Sequence, residues 1–202
     1  MYRSLTPRLR FLVSEPGNGF NSKGLGIRVQ KKLASKMSTK SMAKVFIDEK
    51  MGQLLDNVYH LIKDYTGDKK EAEKIVKYLI KITIKIAIAY RNDQFDAEEL
   101  RLTDEFKKKF HQMVMTIISF VEVDFTFDKH YLSKSLAENC ALLQKLIARH
   151  STDKTKGKLN HVFDFFGDTQ FLEAVFTPDG KHRPLMAKIT KQLDELMESG
   201  SL

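Results

Sequence analysis

The sequence lacks the residues that would make it a disulfide-bonded or membrane-spanning protein. It has one cysteine, Cys140, so no intrachain disulfide can form, and we expect a cytoplasmic protein. No run reaches the roughly 18 apolar residues of a transmembrane helix. The first twelve residues carry three arginines and no apolar core, which excludes a secretory signal. Pro7 and Pro16 break the long amphipathic helix that a mitochondrial presequence needs.

Catalytic and metal-binding motifs are missing as well. No glycine-rich phosphate loop is present, and the Gly-Leu-Gly sequence at 24–26 follows no predicted strand. The six histidines never pair at metal-ligand spacing, so we expect no metal and no cofactor. Cys140 falls on an apolar helix face without a basic neighbour, which predicts a buried, inert thiol. Adjacent carboxylates such as Glu98 and Glu99 are predicted to be solvated surface. We expect no enzyme.

The positive charge is concentrated at one end of the chain. Residues 1–50 hold eleven Lys and Arg against three Asp and Glu, whereas residues 51–202 hold 23 of each. The whole net charge of +8 therefore comes from the first quarter. Such asymmetry indicates a polyanionic partner: nucleic acid, an anionic membrane or a phosphorylated headgroup.

A helix predicted over 68–91 is the centre of the expected fold. Asp68 and Glu71 have capping-box spacing at its start, and no Gly or Pro interrupts it. Its lysines, at 74, 77, 81 and 85, share one narrow arc, the expected wet edge, and nearly all other positions are apolar. Such a helix is surrounded on most sides. It is either a core helix or one wall of an apolar cavity.

The remaining segments are also predicted to be helical. A basic amphipathic helix begins at Ser22 and runs to about 40, weakened by Gly24 and Gly26 at about 1 kcal/mol each. It either lies on an anionic surface or packs its apolar stripe on the core. Further helices are expected over 41–65, 96–121, 129–149, 159–166, 171–176 and 184–198. We predict an all-α antiparallel bundle of six or seven helices, with 1–20 as a flexible, variable leader and 21–202 as one domain.

Basic charge combined with largely apolar helices favours one ligand class. A lipid with a phosphorylated headgroup would place acyl chains in an apolar interior and phosphates on Lys and Arg at its rim. Nucleic acid accounts for the charge but not for the helices. It also needs aromatic or amide side chains between the basic residues, and 23–44 offers only Gln30. No nucleic acid partner is expected.

Short motifs from Phe20 to the end resemble the tumour necrosis factor-alpha-induced protein 8 (TIPE) family, in that family's order, and suggest an invertebrate member. They are Phe20-Asn-Ser-Lys23, Gln30-Lys31-Lys32, Ser35-Lys36-Met37, Ile47-Asp48, Ile80-Lys-Ile82, Ile84-Lys85, Tyr90-Arg-Asn-Asp-Gln-Phe95, Met115-Thr116, Ser119-Phe120, Val123-Asp-Phe-Thr-Phe-Asp128 and His161-Val-Phe-Asp164.

This resemblance implies antiparallel helices around a large central hydrophobic cavity. Residues of the 68–91 helix and of the next helix would line that cavity. They are Leu79, Ile80, Ile84, Ile88, Met113, Ile117, Phe120 and Val121. The resemblance further implies phosphoinositide binding and transfer, in a protein that regulates cell survival, immunity or autophagy.

The resemblance also assigns binding residues. The family's headgroup-binding positions fall on Lys31, Lys32, Arg91 and Lys107, while Lys36 and Lys40 would contact a membrane or a Rho-family GTPase. The expected partners are therefore phosphoinositides, an anionic membrane surface contacted peripherally, and such a GTPase. The alternative is a helical scaffold that binds a GTPase or an apoptosis regulator without transferring lipid.

Overall fold

Every regular element in the structure, a computed structural model that describes residues 19–35, 45–123 and 126–200, is a helix. The eight helices are α1 (Ser22–Ala34), α2 (Glu49–Thr66), α3 (Lys69–Arg91), α4 (Ala97–Glu122), α5 (Lys129–Leu146), α6 (Asp153–Gly167), α7 (Thr169–Phe176) and α8 (Arg183–Glu198). The predicted all-α class is confirmed. No helix in these ranges has the length and apolar character needed to cross a bilayer.

The described residues hold eight helices rather than the six or seven predicted. Asp168 separates α6 from α7 by a single extended residue, and its carboxylate accepts hydrogen bonds from the backbone N–H groups of Gln170 and Phe171. The cap makes α7 a helix in its own right. The polar segment before Leu159 was predicted to be a loop, which is wrong, because α6 begins at Asp153.

Local capping chemistry sets the ends of α2, α3 and α4. Gly67 ends α2 in the left-handed conformation, φ 68°, as predicted for a terminal glycine. Asp68 caps α3 through the N–H groups of Lys70 and Glu71. The Glu71 carboxylate does not complete the predicted capping box, since it bonds to residues beyond the cap. The full box occurs at α4, between Asp96 and Glu99.

The helices pack in a closed ring. Going round it, α2 packs against α3, α3 against α6, α6 against α5, α5 against α4, α4 against α8, and α8 against α2. α1 lies outside the ring on α2 and α3, and α7 packs against α5, α6 and α8. This order places α3 and α4, the two helices predicted to be apolar on most faces, on opposite sides of the bundle.

The buried apolar side chains form three clusters instead of one. The first joins α2, α4, α5, α7 and α8. The second packs on the face of α3 that runs from Ala72 to Ile88, together with α2. The third joins the other face of α3, at Ile82 and Ala89, to α4, α5 and α6. Four half-buried side chains contact both the first and second clusters: Met51, Val58, Phe165 and Phe166. The centre of the ring is therefore occupied by side chains that bridge separate cores.

Close packing explains one of the two glycines that weaken α1. A Cβ placed on Gly26 would lie 2.7 Å from the Cβ of Ile47, a side chain that is 1% exposed. The glycine lets α1 approach the segment that precedes α2. α1 ends at Ala34, so the predicted extension to about residue 40 lies largely outside the described residues.

Candidate functional site

Arg91, the last residue of α3, lies over an aromatic ring. Its guanidinium carbon is 4.6 Å from the ring centroid of Phe46. The backbone N–H of Phe46 donates a hydrogen bond of 3.0 Å to Oε1 of Gln30, a buried side chain on α1. This chain of contacts ties the C-terminal turn of α1 to the C-terminus of α3.

Lys107 lies over the ring of Tyr90, the residue before Arg91. The Lys107 Nζ is 4.9 Å from the ring centroid, and Tyr90 is 43% exposed. Tyr90 also packs edge-on against Phe95, with ring centroids 6.3 Å apart. The two contacts place a cation from α4 beside the end of α3, so Arg91 and Lys107 are neighbours in space although they are distant along the chain.

We group Lys31 and Lys32 with Arg91 and Lys107 as the cationic site, because Gln30, the residue before them, is linked to Arg91 through Phe46. Both lysines are exposed on the last turn of α1, directly after Gln30. None of the ion pairs among the described residues involves a member of the cationic site. The four positive charges are held by aromatic faces and helix C-termini, so they are available to an anion. Lys36 and Lys40 lie outside the described residues.

A buried carboxylate fixes the turn next to the cationic site. Glu99 bonds the Arg149 guanidinium through both oxygens, at 2.5 and 3.2 Å, and its Oε1 lies 3.0 Å from Nε2 of His150. Arg149 also donates to the carbonyl oxygen of Gln94, at 3.4 Å. The hydrogen bond from Arg149 is the main cause that lowers the pKa of Glu99 to about 2. Glu99 therefore stays ionised and holds the α3–α4 turn to the end of α5.

The prediction that Glu98 and Glu99 are both solvated surface is wrong for Glu99, which is 6% exposed. Its partners lie about fifty residues away on another helix, so no local pattern could identify them. Glu98 is exposed and pairs with Arg101 at 2.6 Å, as a surface carboxylate does. Cys140 is buried, and burial raises the pKa of its thiol, which agrees with the predicted inert cysteine.

Residue analysis missed Gln30, Phe46 and Tyr90 as parts of the site. Gln30 and Tyr90 each precede a predicted headgroup residue, and both belong to motifs that carry the family resemblance. Phe46 was predicted to lie inside a helix, but it belongs to the bend before Asp48, the N-cap of α2. That conformation brings its backbone N–H to Gln30.

The residues predicted to line a cavity divide between two of the apolar clusters. Those on α3 belong to the second cluster, and those on α4 belong to the first. Ile80 and Ile84 are 0% exposed and are packed on all sides, whereas Leu79 and Ile117 are only partly buried. Grooves of about 350 Å³ between α5 and α6 and about 130 Å³ between α4 and α5 are lined by other residues.

Comparison with known proteins gives consistent matches over most of the chain. A sequence model described as "Tumor necrosis factor alpha-induced protein 8-like" matches residues 20–200. Among similar proteins, "Protein salivary glands marred" of Drosophila melanogaster is 48% identical over 185 residues, covering 92% of this chain and 98% of that protein. "Tumor necrosis factor alpha-induced protein 8" of Bos taurus is 50% identical over 180 residues, covering 87% and 91%.

Proposed function

The chain belongs to the tumor necrosis factor alpha-induced protein 8-like family, and we propose that it is a phosphoinositide-binding lipid-transfer protein and signalling adaptor. The phosphorylated headgroup of the bound lipid would be held at the cationic site, and the acyl chains of that lipid would enter the ring of helices. As an adaptor it would regulate cell survival, immunity or autophagy. Rho-family GTPases would contact the region of Lys36 and Lys40.

The observation that supports this proposal is that Arg91 and Lys107 lie over the aromatic rings of Phe46 and Tyr90 at the end of α3, without an ion-pair partner among the described residues. A phosphomonoester carries a charge of about −1.5 to −2 at pH 7, so two phosphates match the four positive charges of the cationic site. Arg91 has the planar fork that binds phosphate oxygens in a bidentate manner. Lys31, Lys32 and Lys107 add point charges around it.

The neighbouring surface suits the rest of a lipid molecule. Tyr90, which contacts Lys107, is 43% exposed. Val45, the residue before the Phe46 that contacts Arg91, is 42% exposed. This exposed apolar surface would contact an acyl chain as it leaves the membrane beside the headgroup site. Inside, each buried CH₂ group would contribute about 0.8 kcal/mol.

Vesicle binding by two single variants tests the headgroup assignment. We expect Lys107→Gln to weaken binding to vesicles that contain phosphatidylinositol bisphosphate by about tenfold or more, because it removes a charge-assisted contact. Lys108→Gln is the matched control, since Lys108 is the next residue on α4, is exposed and removes the same charge. Equal binding by the two variants would contradict the role of Lys107.

Lipid transfer needs a separate measurement. Native mass spectrometry of protein purified from cells is expected to detect a bound phospholipid, and Ile84→Trp is expected to reduce extraction of lipid from vesicles while leaving surface binding intact. Ile84 is 0% exposed, so the larger ring would occupy space inside the ring of helices. Absence of co-purified lipid, together with unchanged extraction by the variant, would favour a protein-binding scaffold.

A further inference from the structure

A second group of positive charges, made of residues other than those of the cationic site, lies between α3 and α6. It consists of Lys81 and Lys85 on α3 and Lys154 and Lys158 on α6, and we call it the α3–α6 lysine patch. The two helices pack against each other. Nζ of Lys158 lies 5.4 Å from the ring centroid of Tyr78, which places this lysine of α6 against the surface of α3.

The patch differs from the lysines that precede it on α3. Lys74 pairs with Glu71 at 2.9 Å, and Lys77 pairs with Glu73 at 3.5 Å. Beyond Glu73, α3 contains no acidic residue. The predicted wet edge of α3 therefore has two parts. In the first part, Lys74 and Lys77 are paired with carboxylates, and in the second part, Lys81 and Lys85 lie beside two more lysines on α6.

The charges of the patch act on one another. The pKa of Lys158 is lowered, first by burial and then by the charges of the other three patch lysines. Burial also lowers the pKa of Lys85. In the part of the chain that the structure describes, no ion pair reaches any of the four lysines. Four like charges without a counterion destabilise the free protein, and a polyanion would relieve their repulsion.

The chemistry of the patch favours a broad anionic surface over a small anion. A selective phosphate site normally uses the planar fork of arginine, and all four residues of the patch are lysines. Lysines are compact point charges on flexible stems, as in the basic segments that contact anionic lipid surfaces. Lys85 precedes Arg91 by six residues, or about 9 Å of helix rise, so the patch lies near the same end of α3 as the cationic site.

We propose that the α3–α6 lysine patch is a docking surface for an anionic bilayer, separate from the headgroup site. It attracts the negative surface as a whole and needs no phosphoinositide. A protein that touches the bilayer through this patch would be held at the surface while the cationic site binds one lipid. The proposal does not depend on lipid entering the interior.

Vesicles of phosphatidylcholine and phosphatidylserine, without phosphoinositide, test the patch by co-sedimentation at low salt. We expect the double variants Lys81→Gln with Lys85→Gln, and Lys154→Gln with Lys158→Gln, each to bind on the order of tenfold more weakly than the unaltered protein. Glutamine keeps most of the side-chain stem. Thermal unfolding checks the fold, and the variants should be at least as stable because repulsion is removed.

The matched control is Lys74→Gln with Lys77→Gln, which removes the same charge from the same helix where each lysine already has a carboxylate partner. Binding by this control should stay close to that of the unaltered protein. Equal losses in control and patch variants would mean that net charge alone matters, and would overturn the proposal. Unchanged binding in the patch variants would overturn it too.

Two further measurements separate the possible failures. Titration of the protein with inositol hexakisphosphate measures whether the patch binds a soluble polyanion. If a patch variant lost this binding but still bound vesicles, membrane docking by the patch would be overturned. On phosphoinositide vesicles at higher salt, Lys107→Gln reports on the headgroup site, while the patch variants should change little because salt screens a diffuse contact. Loss in one set of variants without the other identifies which proposal has failed.

Discussion

The acid sensitivity of the fold should depend on Glu99. Its carboxylate is 8% exposed and bonded to Arg149 and His150, and its pKa falls from an ordinary value of 4.5 to about 2. At about 1.36 kcal/mol for each pH unit, this difference corresponds to about 3 kcal/mol of stability. Because the folded-state pKa is the lower one, the stabilisation is fully present above about pH 5 and disappears as the pH falls towards 2.

Substitution by glutamine keeps the shape of the side chain and removes its charge. We expect Glu99→Gln to lower the free energy of unfolding by about 3 kcal/mol at pH 7, because Arg149 and His150 lose their charged acceptor. The difference between the variant and the unaltered protein should shrink as the pH falls and should approach zero near pH 2. Other carboxylates titrate in both proteins, so the comparison isolates Glu99.

Urea unfolding followed by far-ultraviolet circular dichroism at several pH values measures this difference. Glu98→Gln is the matched control: it removes the adjacent carboxylate, which is 63% exposed and bonded to Arg101, and should leave the free energy of unfolding little changed. If the gap between Glu99→Gln and the unaltered protein were the same at pH 7 and pH 3, the assignment of a low pKa to Glu99 would be refuted.

Two other predictions concern packing. Gly26→Ala should lower the free energy of unfolding, measured in urea, by about 1–3 kcal/mol, because the new Cβ would lie 2.7 Å from the Cβ of Ile47. Gly157→Ala is the control. It should stabilise α6, because no atom lies within 4 Å of its new Cβ and alanine favours helix more than glycine does. A stabilising Gly26→Ala would contradict the close approach of α1. Phe165→Ala should lower the free energy of unfolding of the lipid-free protein by about 3–5 kcal/mol. Added phospholipid should then raise the melting temperature of the variant by more than it raises that of the unaltered protein, because the lipid can fill the cavity. An equal rise in both proteins would argue that Phe165 does not lie on the lipid path.

Sequence patterns predicted the features that are decided within a few residues. The Asp68 cap and the left-handed Gly67 each depend on backbone groups one to four positions away, and both are present. The start of α6 was missed because Thr152 forms no side-chain cap hydrogen bond, so the segment reads as a polar loop. Local signals therefore located most helix ends and failed where capping was weak.

Contacts between distant segments could not be predicted in the same way. The low pKa of Glu99 depends on Arg149, and the lowered pKa of Lys158 depends in part on Lys81 of another helix. Both pairs are brought together only by the order of helices in the ring. The assignment of the cationic site residues came from the family resemblance, because spacing along this chain does not show which distant residues lie together.

The packed interior is compatible with lipid uptake on energetic grounds. Phe165 and Phe166 bridge two apolar clusters and are only half-buried, so an acyl chain that entered between these clusters would have to displace one of their rings. Losing the packing of one phenylalanine costs about 3–5 kcal/mol. For an acyl chain exposed to water, burying about ten CH₂ groups would contribute about 8 kcal/mol, at about 0.8 kcal/mol for each group. A chain that moves from a bilayer gains much less, because it leaves an interior that is equally apolar. Under the proposed function, displacing one aromatic ring would therefore be offset for a chain in water, whereas extraction from a bilayer would need the headgroup contacts as well.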